Sequence, residues 1–210
     1  MTGAAFWDGM AKRYAASPIR DVESYEYTLG RTRSYLGPDD KVLELGCGSG
    51  STALRLADAA GDYVASDYAP AMVEIGRRKA AEAGVPNLRF EVAGAETPPN
   101  GAFDAVLAFN LLHLVDDLDA ALAAIAARVV PGGLFISKTT CLAEPGKSLG
   151  LSLLLMALPV ARWLGKAPRV QFHTIARLDA AIETAGFDIA ETGNHPAKPP
   201  SRYVVARRRG

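Results

Sequence analysis

The sequence predicts an α/β protein with a mainly parallel sheet covered by helices on both faces. Short apolar runs of β type alternate with segments of helical periodicity, and the runs are apolar enough to be buried on both sides. A glycine-rich corner follows the first run directly. The predicted strands before residue 140 are 41–45, 63–67, 88–92, 103–109 and 133–137. The intervening helical patterns cover 50–60, 70–84 and 117–129.

Both ends of the chain extend this pattern. The spacing of Phe6, Met10 and Tyr14 indicates an N-terminal helix. Near the other end, "HTIARLDAAIETAGF" predicts a helix that Gly186 ends, and strands are predicted at 187–192 and 202–207. The connection "GNHPAKPPS" holds three prolines, so we predict that it is too long and stiff for a tight hairpin turn.

Length and composition favour one intracellular domain over 1–210. Lysine plus arginine and aspartate plus glutamate both number 23, so net charge gives no reason to expect a nucleic-acid partner. Cys47 and Cys141 lack the spacing of a metal site or a disulfide framework, which indicates a reducing compartment and no structural metal. The first residues lack the features of a secretory signal, and we expect a cytoplasmic protein.

The most apolar stretch is "SLGLSLLLMALPVA", residues 148–161, within a segment 139–172 that precedes the last helix. It holds 14 uncharged residues and Pro159, whereas a membrane span needs about 20 apolar residues, so no stable span is predicted. A lid over a hydrophobic small molecule is one interpretation. A helix buried in the domain or in a homodimer interface is the other.

The glycine corner, "VLELGCGSGSTALRLAD", indicates a nucleotide-type ligand. Gly46, Gly48 and Gly50 let the backbone turn and approach a ligand, and the next helix presents free N–H groups there. Ser49 or Ser51 is a candidate cap for that helix. The spacing is GxGxG, whereas a dinucleotide fingerprint is GxGxxG.

Asp67 ends the second predicted strand, 21 positions after Gly46. A carboxylate there can accept both hydroxyls of a ribose in either kind of nucleotide site. Its alternative role is to cap the helix that starts near Pro70.

Four motifs in order resemble the class I S-adenosylmethionine-dependent methyltransferases. "VLELGCGSG" and "VASDYAPAMVEIGRRKA" are similar to the first two motifs of that family, and "FDAVLAFNLLHLVDD" and "VVPGGLFIS" to those of the fourth and fifth strands. "FWDGMAKRY" resembles the small-molecule methyltransferases of ubiquinone and menaquinone biosynthesis. Where the family often has an acidic residue for adenine, this chain has Gly94.

The resemblance implies a Rossmann-like, doubly wound, seven-stranded sheet of order 3-2-1-4-5-7-6 with the last strand antiparallel. It also implies that segments 1–36 and 139–172 close over the cofactor and the substrate. The cofactor would be S-adenosylmethionine. The implied contacts are Tyr14, Glu44, Gly46, Cys47, Gly48, Gly50, Asp67, Tyr68, Met72, Gly94, Ala95, Glu96 and Asn110.

The three histidines are the candidate general bases, because histidine changes charge near neutral pH. His113 follows the fourth strand and is the best placed, whereas His173 begins the last helix as either a base or a cap. His195 is predicted at the surface. Tyr27 is a further residue that could fold onto the cofactor, or it packs in the core.

We therefore expect a methyltransferase that acts on a small, apolar metabolite by inline displacement, with no metal. Two alternatives stay open from the sequence. One is a nicotinamide-dependent oxidoreductase, and the other is a module that binds S-adenosylmethionine without transferring its methyl group.

Overall fold

The computed structural model describes residues 3–145, 156, 158–163 and 166–210. Their strands are β1 Lys41–Leu45, β2 Asp62–Asp67, β3 Leu88–Val92, β4 Phe103–Phe109, β5 Val129–Thr140, β6 Phe187–Ala197 and β7 Pro200–Arg208. The labelled helices are α1 Gly3–Ala16, α2 Val22–Arg33, α3 Ser51–Leu56, α4 Pro70–Ala83, α5 Leu118–Ala126 and α6 Ile175–Thr184. A 3-10 turn, Ala57–Ala59, follows α3.

The strands form one sheet of order β3-β2-β1-β4-β5-β7-β6. Neighbouring strands from β3 to β5 are parallel, and β7 is antiparallel to both β5 and β6. The predicted order and the antiparallel last strand are confirmed. In such a sheet the ligand site lies at the carboxyl ends of the strands, where the connections diverge on either side of β1.

Strand β5 is longer than the predicted 133–137. The register between β4 and β5 shifts between Phe103 and Ala105, so residues near Gly132 and Gly133 bulge out of the ladder. A Cβ at Gly133 would lie 2.8 Å from the Asp104 carbonyl oxygen, which is why glycine is needed at this bulge. The glycines that interrupt the sequence pattern therefore lie inside a strand.

Strands β6 and β7 form a tight hairpin, which corrects the prediction of a long, stiff connection. Only Lys198 and Pro199 lie between them. Strand β6 is at the sheet edge, and its register shifts between Asn194 and Ala197, which leaves Pro196 outside the ladder. A proline lacks the N–H that a ladder needs, so it is accommodated at such an irregular edge.

Each face of the sheet carries a hydrophobic core. One core joins the sheet to α5 and α6 and includes Leu122 and Ile182, and the other joins it to α2, α3 and α4 and includes Leu56 and Val73. Strand β1 contributes Leu43 and Leu45 to the first core and Val42 to the second. Every residue of β1 after Lys41 is buried, as the predicted two-sided cover requires.

Most of the apolar stretch 148–161 lies outside the described residues, and so do its leucines at 149, 151, 153, 154 and 155. Residues 158–163 are helical. Met156, Val160 and Trp163 are 76%, 61% and 85% exposed, so these three are not part of the core. Within the described ranges, no helix has both the length and the apolarity to cross a bilayer.

Candidate functional site

The glycine corner turns sharply at the carboxyl end of β1. Gly46, Gly48 and Gly50 have φ values of 65°, 54° and 77°, a region that side chains with a Cβ rarely adopt. Gly50 is the N-cap of α3, and no side chain caps that helix. The predicted serine caps are therefore wrong. The Lys79 ammonium instead donates to both serine hydroxyls, at 3.2 Å to Ser49 Oγ and 3.3 Å to Ser51 Oγ.

Neighbouring side chains also exclude a Cβ from the corner. A Cβ at Gly46 would lie 2.7 Å from Leu111 Cδ1, and one at Gly50 would lie 2.6 Å from Phe90 Cζ. At Gly48 it would lie 3.3 Å from the ring of Tyr14. The corner therefore packs against β3 on one side. On the other side it packs against α1 and against the segment that follows β4.

Asp67 links the glycine corner to the turn after β2. Its Oδ2 accepts the Gly48 N–H at 2.9 Å, and its Oδ1 accepts the Ala69 N–H at 2.9 Å. Burial raises the pKa of the Asp67 carboxyl, and the two N–H groups oppose that rise. The N-cap of α4 is Ala69, so the alternative in which Asp67 merely caps that helix is wrong.

Helix α1 covers this end of the site. The Asp8 carboxylate accepts the Ala71 N–H at 2.9 Å, which fixes α1 to the first turn of α4. The Trp7 and Tyr14 rings pack edge to face, with 5.8 Å between their centroids. Trp7 was not predicted as a site residue, because it lies outside the spacing of Phe6, Met10 and Tyr14 that predicts this helix.

A cavity of about 1300 Å³ lies between the carboxyl ends of the strands and these covering segments. The predicted residues that line it are Tyr14, Gly46, Gly48, Asp67, Tyr68, Met72, Gly94, Ala95, Glu96, Asn110 and His113. Their contact with a cofactor stays a prediction, but the fold brings them to one space. Segment 167–170 and helical residues 159, 162 and 163 line the same cavity.

Asn110 lies in this wall at the tip of β4. Its φ is 54°, and it is the only residue other than glycine with a positive φ in the described part of the chain. Its N–H donates to the Lys138 carbonyl oxygen at 2.7 Å, which holds it against the end of β5. Asparagine tolerates this conformation better than most residues because its short side chain can hydrogen-bond locally.

Four predicted site residues do not line the cavity. Glu44, Cys47 and Gly50 are buried in β1 and the glycine corner, and His173 is half-buried in the segment before α6. A direct contact of these four residues with a ligand stays a prediction.

Glu44 is buried beneath the corner and receives a hydrogen bond of 2.8 Å from the Tyr63 hydroxyl. Burial raises its pKa to about 8, and the Asp67 carboxylate adds to the rise, whereas the Tyr63 hydroxyl lowers it. Glu44 is therefore largely protonated at neutral pH. A neutral carboxyl adds no second negative charge beside Asp67.

Tyr27 and His195 are also placed differently from their predictions. Their rings stack with 3.8 Å between centroids, and neither lines the cavity. His195 belongs to β6 and is half-buried, so it is not a simple surface residue. The stacking attaches α2 to the hairpin.

His113 follows β4 and belongs to the same cavity wall. Leu111, Leu114 and Val115 line the wall beside it. Burial lowers the pKa of His113 to about 4, and the nearby His173 adds to that effect. His113 is therefore neutral at physiological pH and keeps a nitrogen lone pair.

Comparisons with known proteins identify relatives of this chain. A family model described as "Methyltransferase domain" matches residues 42–133, from β1 to the bulge of β5. A ubiquinone biosynthesis O-methyltransferase of Methylobacterium nodulans is 31% identical, with 80% of this chain and 68% of that protein covered. A protein of the same description from Methylocella silvestris is 32% identical, with 91% and 80% covered.

Solved structures share the fold. Magnesium protoporphyrin IX methyltransferase from Synechocystis, with bound SAH (S-adenosylhomocysteine), superimposes with a TM-score of 0.72 at 22% identity. The match covers 98% of this chain and 95% of that one. A methyltransferase of Haloferax volcanii in complex with an activator protein gives a TM-score of 0.75 at 18% identity, with 97% and 98% covered.

A glycine corner after β1, an acid at the tip of β2 and a shared cavity at the strand ends define a nucleotide-type site of an α/β sheet. The chain belongs to the class I S-adenosylmethionine-dependent methyltransferases, and S-adenosylmethionine is its cofactor. This family membership overturns the oxidoreductase alternative and makes the chain an enzyme of methyl transfer.

Proposed function

We propose that this enzyme methylates an oxygen of a small, largely apolar metabolite, with His113 as the general base. The observation that carries the proposal is one cavity that Asp67, Gly46, Gly48 and His113 all line. Its volume of about 1300 Å³ exceeds the roughly 300–1,000 Å³ that is usual for one small ligand. It therefore has room for a cofactor and an acceptor together.

The residues at the glycine end suit S-adenosylmethionine. Each oxygen of the Asp67 carboxylate accepts one backbone N–H and retains a lone pair for a ribose hydroxyl. Gly46 and Gly48 present backbone without side chains, and Met72 offers an apolar surface. When bound, S-adenosylmethionine supplies a methyl group that is already activated on a sulfonium.

His113 then has two tasks, to orient the acceptor hydroxyl and to take its proton. Its low pKa keeps the imidazole neutral, so it accepts a hydrogen bond from a hydroxyl at neutral pH. Leu111, Leu114 and Val115 give the wall beside His113 an apolar surface. The apolar wall also supports an acceptor with a hydrocarbon or aromatic body.

The identity of the relatives supports the choice of oxygen, because two of them are described as O-methyltransferases of ubiquinone biosynthesis. For this chain, the acceptor is proposed as a phenol or another hydroxylated apolar compound. The homodimer considered from the sequence and the cytoplasmic location both stay predictions.

Transfer of a labelled methyl group tests the proposal. The full chain is incubated with methyl-labelled S-adenosylmethionine and a panel of phenols, amines and thiols. We expect label in phenols, and a loss of at least tenfold in kcat for His113→Gln. His195→Gln is the matched control, because it removes a histidine outside the cavity, and it should keep its activity. Label only in amines or thiols, or full turnover by His113→Gln, would reject the proposal.

A further inference from the structure

Two ring nitrogens behind the cavity wall are buried without a hydrogen-bond partner among the described residues. They are Nδ1 of His113 and Nε2 of His173. Buried polar atoms in folded proteins nearly always have a partner, either another protein group or an ordered water. We therefore look for one arrangement that gives both nitrogens a hydrogen-bond partner.

The backbone holds the two histidines side by side. The Gln171 N–H donates to the His113 carbonyl oxygen at 2.7 Å, so the segment that leads into α6 runs along the residues after β4. The Ala143 N–H donates to the His173 carbonyl oxygen at 3.0 Å and fixes the other side of that segment. His173 also contributes electrostatically to lowering the pKa of His113, which requires the two rings to be near each other.

The tautomer of His173 follows from its other contact. A hydrogen bond to the Leu112 backbone raises its pKa and partly offsets the lowering by burial, as expected when the ring N–H donates to a carbonyl. Because Nε2 has no partner, we assign the hydrogen of the neutral ring to Nδ1, on the side of the Leu112 backbone. The Nε2 of a neutral His173 therefore carries a lone pair and can only accept a hydrogen bond.

We propose that His173 is a positioning residue for His113. Its Nε2 accepts a hydrogen bond from one water, which in turn accepts the hydrogen on His113 Nδ1, so that the lone pair of His113 Nε2 faces the cavity. Both unpaired nitrogens then have partners. This inference rests on the proposed role of His113 as base.

The alternative tautomer of His113 shows why positioning matters. With its hydrogen on Nε2, His113 would present a donor to the acceptor hydroxyl and could not take its proton. In a neutral imidazole one nitrogen carries the hydrogen and the other the lone pair, so a partner at Nδ1 decides what Nε2 does. His173 would thus act on the acceptor without touching it.

Two substitutions separate this role from a structural one. In His173→Asn the amide occupies the place of Nδ1, so it keeps a donor for Leu112 but loses the acceptor that faces His113. In His173→Gln the amide reaches the place of Nε2 and restores an acceptor, although it gives up the Leu112 contact. If His173 has only a structural role, kcat should be higher in His173→Asn. If it positions His113, kcat should be higher in His173→Gln.

The measurement is ¹⁵N NMR of the histidine rings in the full chain, with and without S-adenosylhomocysteine, with His113 signals assigned by their loss in His113→Gln. We expect His113 to carry its hydrogen on Nδ1 in the wild type and in His173→Gln, and to shift towards Nε2 in His173→Asn. The kcat should fall about tenfold in His173→Asn and recover in His173→Gln, with little change in KM. His195→Gln serves as the control.

Unchanged His113 signals in His173→Asn would overturn the inference, as would equal tautomer shifts in both variants. The outcome is independent of the proposed base, because the tautomer is read without turnover. If His113→Gln retains full activity while the tautomer still responds to His173, the proposed function fails and the positioning contact stands. If the tautomer does not respond but His113→Gln is inactive, only the positioning contact fails.

Discussion

The Oδ2 of Asp67 accepts the backbone N–H of Gly48 at 2.9 Å, so the acid at the end of β2 and the glycine corner after β1 form one unit. The same carboxylate holds the Ala69 N–H before α4. Asp67 is only 7% exposed, so loss of its oxygens leaves two N–H groups without a protein partner near the ligand.

We predict that Asp67→Ala weakens S-adenosylhomocysteine binding by more than tenfold, or about 1.4 kcal/mol and upwards. The variant loses the proposed ribose contact. It also loses the hydrogen bond to the Gly48 N–H, so the glycine corner is less ordered. Isothermal titration calorimetry measures the affinity, after a thermal melt has shown that the variant is folded. Asp39→Ala, which removes an exposed carboxylate remote from the cavity, should bind normally. An unchanged affinity for Asp67→Ala would remove it from the site.

A comparison of Gly50 with Gly84 tests the packing below the corner. Their φ values are similar, 77° and 66°, but a Cβ at Gly84 meets nothing within 4 Å, whereas one at Gly50 would strike the Phe90 ring. Gly84→Ala should therefore cost only the backbone term of about 1 kcal/mol, and Gly50→Ala about 1–3 kcal/mol more. Urea denaturation measures both. Equal losses would mean that the Phe90 ring moves aside freely.

Asn110 offers a test of backbone conformation at the cavity wall. Because its φ is 54°, Asn110→Gly should keep the stability of the fold, while Asn110→Ala should lose about 1 kcal/mol. The same order is expected for the affinity for S-adenosylhomocysteine, since the turn sets the position of the wall. Denaturation and calorimetry on both variants decide the point. Tighter binding by the alanine variant would contradict a conformational role.

The buried carboxyl of Glu44 predicts a pH dependence of stability. Its pKa is about 8 in the folded protein, against 4.5 for an unperturbed group. Its favourable contribution is complete below pH 4.5 and is lost as pH rises towards 8, because only the unfolded state ionises in that range. Glu44→Gln cannot ionise and still accepts the Tyr63 hydrogen bond. Its advantage over the wild type should therefore grow with pH, up to about 5 kcal/mol.

Chemical denaturation at a series of pH values between 4 and 9 measures this difference. Comparison with the wild type at each pH cancels other titrating groups, including His113, whose lowered pKa gives the opposite slope. Glu91→Gln, the same chemical change at a half-buried position of the edge strand β3, is the matched control. A constant difference between Glu44→Gln and wild type would show that Glu44 is ionised in the fold.

The central strands could be predicted closely from the sequence because their burial on both faces leaves a continuous apolar run. Strands β1, β3 and β4 begin and end at the predicted residues. The errors lie where glycine or proline sits inside a strand. The bulge in β5 and the irregular edge of β6 keep these residues out of the ladder. In the sequence, such a glycine or proline is read as a turn, so the strand is predicted to stop there.

The sequence predicts site residues where a particular backbone position requires a particular residue type. Glycines at a turn with positive φ and an acid at a strand end are such cases, and Gly46, Gly48 and Asp67 do line the cavity. The positions of Trp7 and His173 depend on how α1 and the segment before α6 pack against distant parts of the chain. Packing between elements far apart in sequence leaves no local pattern, so these contacts needed the structure.

The bond between Asp8 and the Ala71 N–H has a further consequence. Trp7 and Tyr14 lie on the same helix as Asp8 and form part of the cavity wall, so any swing of that helix away from the cavity breaks this bond. A movement of α1 away from the cavity therefore exposes the Ala71 amide to solvent. The rate of hydrogen–deuterium exchange at the Ala71 amide therefore reports how often α1 moves away from the cavity. We expect bound ligand to slow this exchange.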